Sequence, residues 1–373
     1  MKHFILTILV VVVFMGCAAQ EIKRDEPAVF YPKLPEQPRI QFLYTISNES
    51  DLEKKRSSFD EFLLGEEVTP KVLHRVYDIA PVRGKIYVSD RGFKQIIILD
   101  IEKNEFDYID AKGEGTLTDP AGIWVGKDDV KYVTDMARKQ VVVFDRENKY
   151  LRTYGALDQF GKPLDVAVFG NKVYVCDIDQ HTVVVVNKKT GKTIQKIGGP
   201  GEAEGKLYKP THITLDHEGN LFVNDSFNFR VSKFDPEGKY IKSFGAQGDT
   251  PGTFARPKGI AVDEEEHLYV VDTAFENVQI FDVNSGAILL AFGEHQVGPA
   301  SLYLPAGIRI DYENTGYFQK FVDKNFKLKY LIYVGNMVGP RKLNVFGFGE
   351  WIGSPLEGTE ESVDESSGEE KQE

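Results

Sequence analysis

Leu221 to Asp235 reads LFVNDSFNFRVSKFD: one apolar run ends in Asp225 and a second ends ten residues on, in Asp235. The same figure recurs along the chain. IYVSDRGFKQIIILD carries Asp90 and Asp100, KYVTDMARKQVVVFD carries Asp135 and Asp145, VYVCDIDQHTVVVVN carries Asp177 and Asn187, and LYVVDTAFENVQIFD carries Asp272 and Asp282. The leading aspartates lie 45, 42, 48 and 47 residues apart, a period that belongs to one repeated supersecondary unit. YLIYVGNMVGPRKLNVF is a degenerate sixth copy, with Asn336 and Phe346 in the two marked places.

Each unit holds four short strands. In the fourth they are THITLD, LFVND, RVSKFD and YIKSFG, joined at HEGN and PEGK, where Gly and Asn suit the positive φ of tight turns. A strand-closing aspartate is expected to accept N–H groups of the following turn. The runs IIIL, VVVF and VVVV are apolar on both faces, so each sheet needs cover on both sides. Four-stranded sheets stacked face to face around an axis supply that cover, and the expected fold is all-β, a six-bladed β-propeller over residues 38–352. The last unit lacks a fourth strand. PRIQFLYTIS (38–47) has the outer-strand pattern and is expected to close the ring, while Lys149, Arg152, Lys192, Lys196, Lys239 and Lys242 guard outer edges. Residues 48–67 space Leu52, Phe59, Phe62 and Leu63 as a short amphipathic helix, and about seventeen residues from Asp311 to Lys329 are inserted between the first two strands of the last blade.

With VNDSFNFRVSKFD followed by GKYIKSFGAQGDTPGTFARPKGIAVD, the chain resembles the NHL repeat, whose units carry an Asp, a nearby Asn or Arg, and a Gly-rich link ending in Phe-x-x-Pro. The fourth and fifth units match closely, the first three partially, the sixth poorly. The resemblance implies a propeller and leaves the function open, because this fold serves scaffolds and enzymes alike.

MKHFILTILVVVVFMGC begins with Lys2 and an apolar run from Phe4 to Met15. Twelve helical residues cover ~18 Å, short of a ~30 Å hydrocarbon core, as in a signal-peptide core. FMGC resembles the lipobox of bacterial lipoproteins, with Phe14 where leucine is usual. The resemblance implies a signal over 1–16, cleavage before Cys17, acylation of Cys17 (palmitate among the acyl groups) and, with Ala18 next, the outer membrane of a Gram-negative cell. Residues 17–37, punctuated by Pro27, Pro32 and Pro35, read as a stiff tether between membrane and propeller. With Cys17 lipidated, Cys176 in KVYVCD has no disulfide partner and reads as a buried, inert thiol. The net charge of −12 argues against nucleic acid as a partner. Eight carboxylates and one lysine fall between Glu357 and Glu373, so 353–373 reads as a disordered acidic tail.

No phosphate loop, paired-cysteine zinc motif or nucleophile elbow is present in the sequence. DEEEH (263–267) takes the place of a turn and reads as an exposed acidic hairpin. Aligning the blades puts Asp78, Gly122, Asp165, His212, Gly259 and Gly307 in one ring at the mouth of the central channel. Asp78, Asp165 and His212 are candidate ligands for a divalent cation, calcium or zinc. Peptide-amidating lyases that share NHL-type blades place catalytic metal at this axis with several histidines; here the ring has only His212. The loops between second and third strands carry Arg91, Phe93, Arg138, Phe227, Phe229 and Phe275, residue types enriched where proteins bind proteins. The expected function is a lipid-anchored scaffold for another envelope protein. The alternatives are a metal-dependent lyase or lactonase at the channel mouth, or a binder of peptide or glycan there.

Overall fold

The protein is described from a computed structural model, which covers residues 28–52, 70–295 and 298–353. Cys17 with its signal, the part of the expected helix beyond Leu52, and the acidic tail from Ser354 on lie outside the described residues. Six antiparallel sheets follow one another along the chain. Blade 1 is Val76–Val82, Lys85–Asp90, Gln95–Asp100 and Glu105–Tyr108. Blade 2 is Pro120–Val125, Lys131–Asp135, Gln140–Phe144 and Tyr150–Tyr154. Blade 3 is Pro163–Phe169, Lys172–Asp177, Thr182–Asn187 and Thr193–Gly198. Blade 4 is Ile213–Leu215, Leu221–Asp225, Arg230–Phe234 and Tyr240–Phe244, and blade 5 is Pro257–Val262, His267–Asp272, Asn277–Asp282 and Ile288–Phe292.

Blade 6 draws on both ends of the chain. Pro305–Asp311, Phe326–Asn336 and Leu343–Trp351 are completed by Ile40–Ile46, which pairs antiparallel with Leu343–Trp351, Ile40 opposite Phe348 and Ile46 opposite Leu343. The expected closing strand is therefore in place. Part of the expected tether belongs to the ring as well: Phe30–Tyr31 adds a fifth strand beside Ile40–Ile46, and the Phe30 ring meets Trp351 edge-on at 5.5 Å. Aromatic burial outweighs the polar, proline-rich look of that stretch.

Adjacent blades are glued by six apolar clusters, and the alternation of side chains along a strand divides each run between two of them. In Thr182–Asn187, Val184 and Val186 pack toward blade 2, and Val183 and Val185 toward blade 4. Ile97 and Leu99 likewise face blade 6, and Ile96 and Ile98 face blade 2. Hence the runs carry no polar alternation. Fully burying each such side chain is worth ~1.5–3 kcal/mol, so the interfaces dominate stability. In the turn from Asp235 to Tyr240, Gly238 sits at φ +84°, open to glycine at no steric cost.

The inserted segment of blade 6 forms a helical turn, Thr315–Phe318, continued by a 3-10 turn, Gln319–Phe321. Phe318 and Phe321 are buried with Leu52 and Leu73, and Phe321 stacks on Tyr44 at 4.4 Å. Leu52 ends a 3-10 turn, Glu49–Leu52, where an amphipathic helix is expected to begin.

Candidate functional site

The aspartate that ends the second strand of blades 1 to 5 is buried and acts as a clasp. Asp90 accepts the N–H groups of His74, Arg75, Gly92 and Phe93 at 2.6–3.2 Å. Asp177 accepts those of Gly161, Lys162, Asp179 and Gln180, and Asp272 those of Ala255, Arg256, Ala274 and Phe275. In blade 4, Asp225 binds the Tyr208 N–H and the side chains of Asn228 and Arg230. Each carboxylate thus holds the following turn, as expected, and also the link arriving from the previous blade. In the sixth blade Asn336 does this with one oxygen, accepting the Tyr303 N–H at 3.0 Å. The clasp gathers both sets of loops on one face, around the axis.

At the axis, each first strand except that of blade 4 shows a register irregularity beside the aligned ring position, which re-aims the side chains there. Glycine is needed where a neighbouring blade comes close: a Cβ on Gly307 would stand 2.6 Å from the Tyr77 carbonyl oxygen. Asp78 and Asp165 stitch blades together instead. Asp78 accepts the N–H of Ile79 and, across the interface, that of Ile123, both at 2.8 Å. Asp165 does the same with Val166 and Ile213. Arg309 reaches both carboxyls, 3.0 Å from Asp78 and 3.7 Å from Asp165. Burial nevertheless outweighs the guanidinium: both carboxyl pKa values are raised, first by desolvation, and that of Asp165 further by the Asp78 charge.

Beside this pair Tyr77, Ala121, Met136, Leu164 and Ala306 form a buried apolar cluster, with Ile178 and Met337 packed against them. The His212 ring sits 5.2 Å from that of Tyr77, and the Arg91 guanidinium lies over the Tyr77 ring at 5.4 Å. Burial, then the charges of Lys258 and Arg309, hold the His212 imidazole well below its usual pKa, so it is neutral. Lys258 is pushed down to about 8 by burial and by Arg256 and Arg91; its Nζ donates to the Met337 thioether at 3.4 Å.

The structure therefore brings Asp78, Asp165 and His212 to the axis, but the two carboxyls are engaged by backbone N–H groups and Arg309. Among the described residues no group of three or more His, Cys, Asp or Glu is placed to hold a metal ion. Alignment of the ring position alone missed Tyr77, Lys258 and Arg309. The signal was present one residue before the ring and two after it, where Lys258 and Arg309 break otherwise uncharged columns. Cys176 is buried and free, its thiol pKa raised by burial.

The other candidates divide. Phe227 and Phe93 are exposed, at 61% and 47%, Phe93 tilted against His74. Phe229 and Phe275 are half-buried, Phe229 against the cluster between blades 4 and 5. Arg91 is partly occupied by Asp119 and Arg138 by Gln140 and the Thr116 carbonyl. On the opposite face DEEEH is only half the exposed hairpin expected. Glu264 and Glu265 are exposed, but Asp263 is buried, accepting from Tyr330 at 2.6 Å and pairing with His267 at 2.8 Å.

A family model described as "6-bladed beta-propeller" matches residues 214–329. The chain is a six-bladed β-propeller. Its propeller is similar to a Bacteroides thetaiotaomicron structural genomics protein of unknown function, with a TM-score of 0.57 at 17% identity, covering 84% of this chain and 76% of that one. It is also similar to a gluconolactonase from Xanthomonas campestris, TM-score 0.54, 13% identity, 88% and 99% covered, and to virginiamycin B lyase from Staphylococcus aureus, TM-score 0.52, 15% identity, 77% and 85% covered. At these identities the likeness is one of fold. In sequence, 102 residues are 32% identical to the probable peptidyl-alpha-hydroxyglycine alpha-amidating lyase pgal-1 of Caenorhabditis elegans, a match over 26% of this chain and 29% of that relative's length.

Proposed function

We propose that the chain is a lipid-anchored envelope protein whose NHL-type propeller holds another envelope protein on its loop face. The observation that carries this is a row of aromatic rings left uncovered there. His181 stacks on Tyr208 at 5.0 Å, Tyr208 meets Phe227 edge-on at 6.0 Å, and Tyr208 and Phe227 are 43% and 61% exposed. Rigid aromatics of this kind give much contact area for little entropy loss and dominate interface energetics. Phe227→Ala is expected to weaken partner capture from solubilised envelopes roughly thirtyfold, the equivalent of ~2 kcal/mol, with an unchanged melting temperature. Full capture by Phe227→Ala and by Tyr208→Ala would remove this face from consideration.

The anchor is the second half of the reading, supported by FMGC at residues 14–17. Two or more acyl chains at ~0.8 kcal/mol per buried methylene hold a protein to a membrane durably. Cys17→Ser should shift the protein from the outer-membrane fraction to the soluble periplasm. A second reading, catalysis at the channel mouth as a lyase or lactonase, draws on the names of the similar proteins and on the Lys258 amine, poised near neutrality. Turnover of a lactone that disappears in Lys258→Met would favour it over the scaffold.

A further inference from the structure

The axis carries more nitrogen donors than the protein itself satisfies. His212 Nε2 and Arg91 Nε are both buried without a hydrogen-bond partner. Buried N–H groups cost ~1–3 kcal/mol each when left unmade, so such pairs call for a ligand. The tautomer follows from the neighbours. Asn224 Nδ2 donates to the Thr211 hydroxyl at 2.7 Å, which frees the hydroxyl proton for His212 Nδ1, 3.1 Å away. The ring proton then sits on Nε2, a donor with nothing to meet. Lys258, between them in charge, gives its ammonium to a thioether, a weak acceptor. Carboxylates are nearby but engaged elsewhere: Asp78 and Asp165 are tied to Arg309 and to backbone N–H groups, and Asp119 pairs with Arg91 Nη2, not Nε, at 3.5 Å.

We infer that these axial donors and the apolar cluster beside them form a seat for a small oxyanion with an apolar body, its charged head on Lys258 Nζ, His212 Nε2 and Arg91 Nε and its body against Tyr77, Leu164 and Met337. The donors explain the charge, and the apolar cluster explains why the head does not come alone. The positive charges of Lys258 and Arg91 favour an anion over a cation at these donors. This seat is independent of the aromatic row on blades 3 and 4, and neither stands or falls with the other.

The probes are benzoate, its neutral isostere benzamide, and inorganic phosphate, titrated into the full chain in detergent and followed by calorimetry and by the His212 ring resonances, assigned through their loss in His212→Asn. Benzoate is expected to bind and to shift the Nε2 resonance, with benzamide and phosphate each at least tenfold weaker. Lys258→Met and Arg91→Gln, read separately so that one misfolded variant does not decide the matter, should each lose roughly tenfold or more in benzoate affinity, since each removes a charge-assisted hydrogen bond. Three results overturn the inference: no benzoate binding by the wild type, equal binding of benzoate and benzamide, or benzoate binding that survives in both folded variants. Phosphate binding as tight as benzoate overturns it too, because the apolar cluster would then play no part.

Discussion

Replacing Lys258 by methionine should stabilise the propeller near neutral pH. Methionine keeps the length and apolar stem of lysine, and it can lie beside Met337 without desolvating a charge. The magnitude follows from the lysine's pKa, pushed down from 10.5 to about 8. That drop corresponds to ~3 kcal/mol of folded-state penalty at 1.36 kcal/mol per pH unit. The residue is partly exposed, so solvent screens some of it, leaving ~2 kcal/mol. The sign with pH is fixed. Below about pH 8 the amine is charged in both states and the penalty is complete. Between about pH 8 and 10.5 the folded lysine releases its proton while the unfolded one keeps it, and the penalty fades. With an unfolding entropy of ~2.1 cal/mol/K per residue over roughly 300 ordered residues, ~2 kcal/mol raises the melting temperature by ~3 °C. Calorimetry in amine–chloride buffers, free of oxyanions that could pair with the amine, reads this gap from about pH 7 to 11. A variant that melts below the wild type at about pH 7, or a gap that stays constant across the range, would refute the reasoning.

Arg309→Met leaves the Asp78 and Asp165 carboxyls without their counter-charge and should cost ~3 kcal/mol at about pH 8, as breaking a buried ion pair does. Because both carboxyl pKa values are raised, their favourable, protonated state is present at acid pH and lost as pH rises, so urea titrations should show a smaller cost at about pH 5. Asp90→Ala strands the four N–H groups that its carboxylate holds and should destabilise by ~3 kcal/mol or more, with Asp90→Asn recovering part of the loss. Phe318→Ala, in the inserted turn, should cost ~3–5 kcal/mol, since the ring is fully buried among Leu52, Phe321 and Tyr333, whereas Phe227→Ala should cost almost nothing.

The blades were legible because the repeat prints the same physical demand several times: a carboxylate for the loop clasp, then an apolar strand covered on both faces. The closing strand was legible for the related reason that one blade lacked an element and a distant segment had its pattern. Phe30–Tyr31 was hidden because two residues carry no periodicity, and its place depends on a partner, Trp351, more than three hundred residues away. At the axis the ring of aligned positions was found from spacing, but the charges that surround it were not. Two acids and a histidine suggest a cation when taken alone. Positive charge is added there by Lys258 and Arg309, one residue before and two after the aligned column, and by Arg91, in the loop after Lys85–Asp90. Only the folded ring brings those charges together. Exposure was equally out of reach: Phe227 and Phe229 are two residues apart in one turn, and the backbone of Phe229, at φ +52°, turns its ring inward.

Ring closure by Ile40–Ile46 also dictates an order of events during folding. Pairing Ile40 with Phe348 encloses roughly 300 residues of chain, and loop entropy makes that ~1.7 kcal/mol dearer than joining two neighbouring repeats. Blades 1 to 5 can stack as each is completed, but until Leu343–Trp351 is available the arc has two open ends. One displays Ile97 and Leu99, the other Tyr269 and Ile280, all apolar and all later covered by the sixth sheet. An unfinished arc is therefore sticky at both ends, and the waiting strand Ile40–Ile46 adds an unpaired edge. Cells that make this protein must shield those surfaces until the last blade is delivered, so truncations inside Leu343–Trp351 should aggregate rather than fold into a smaller ring.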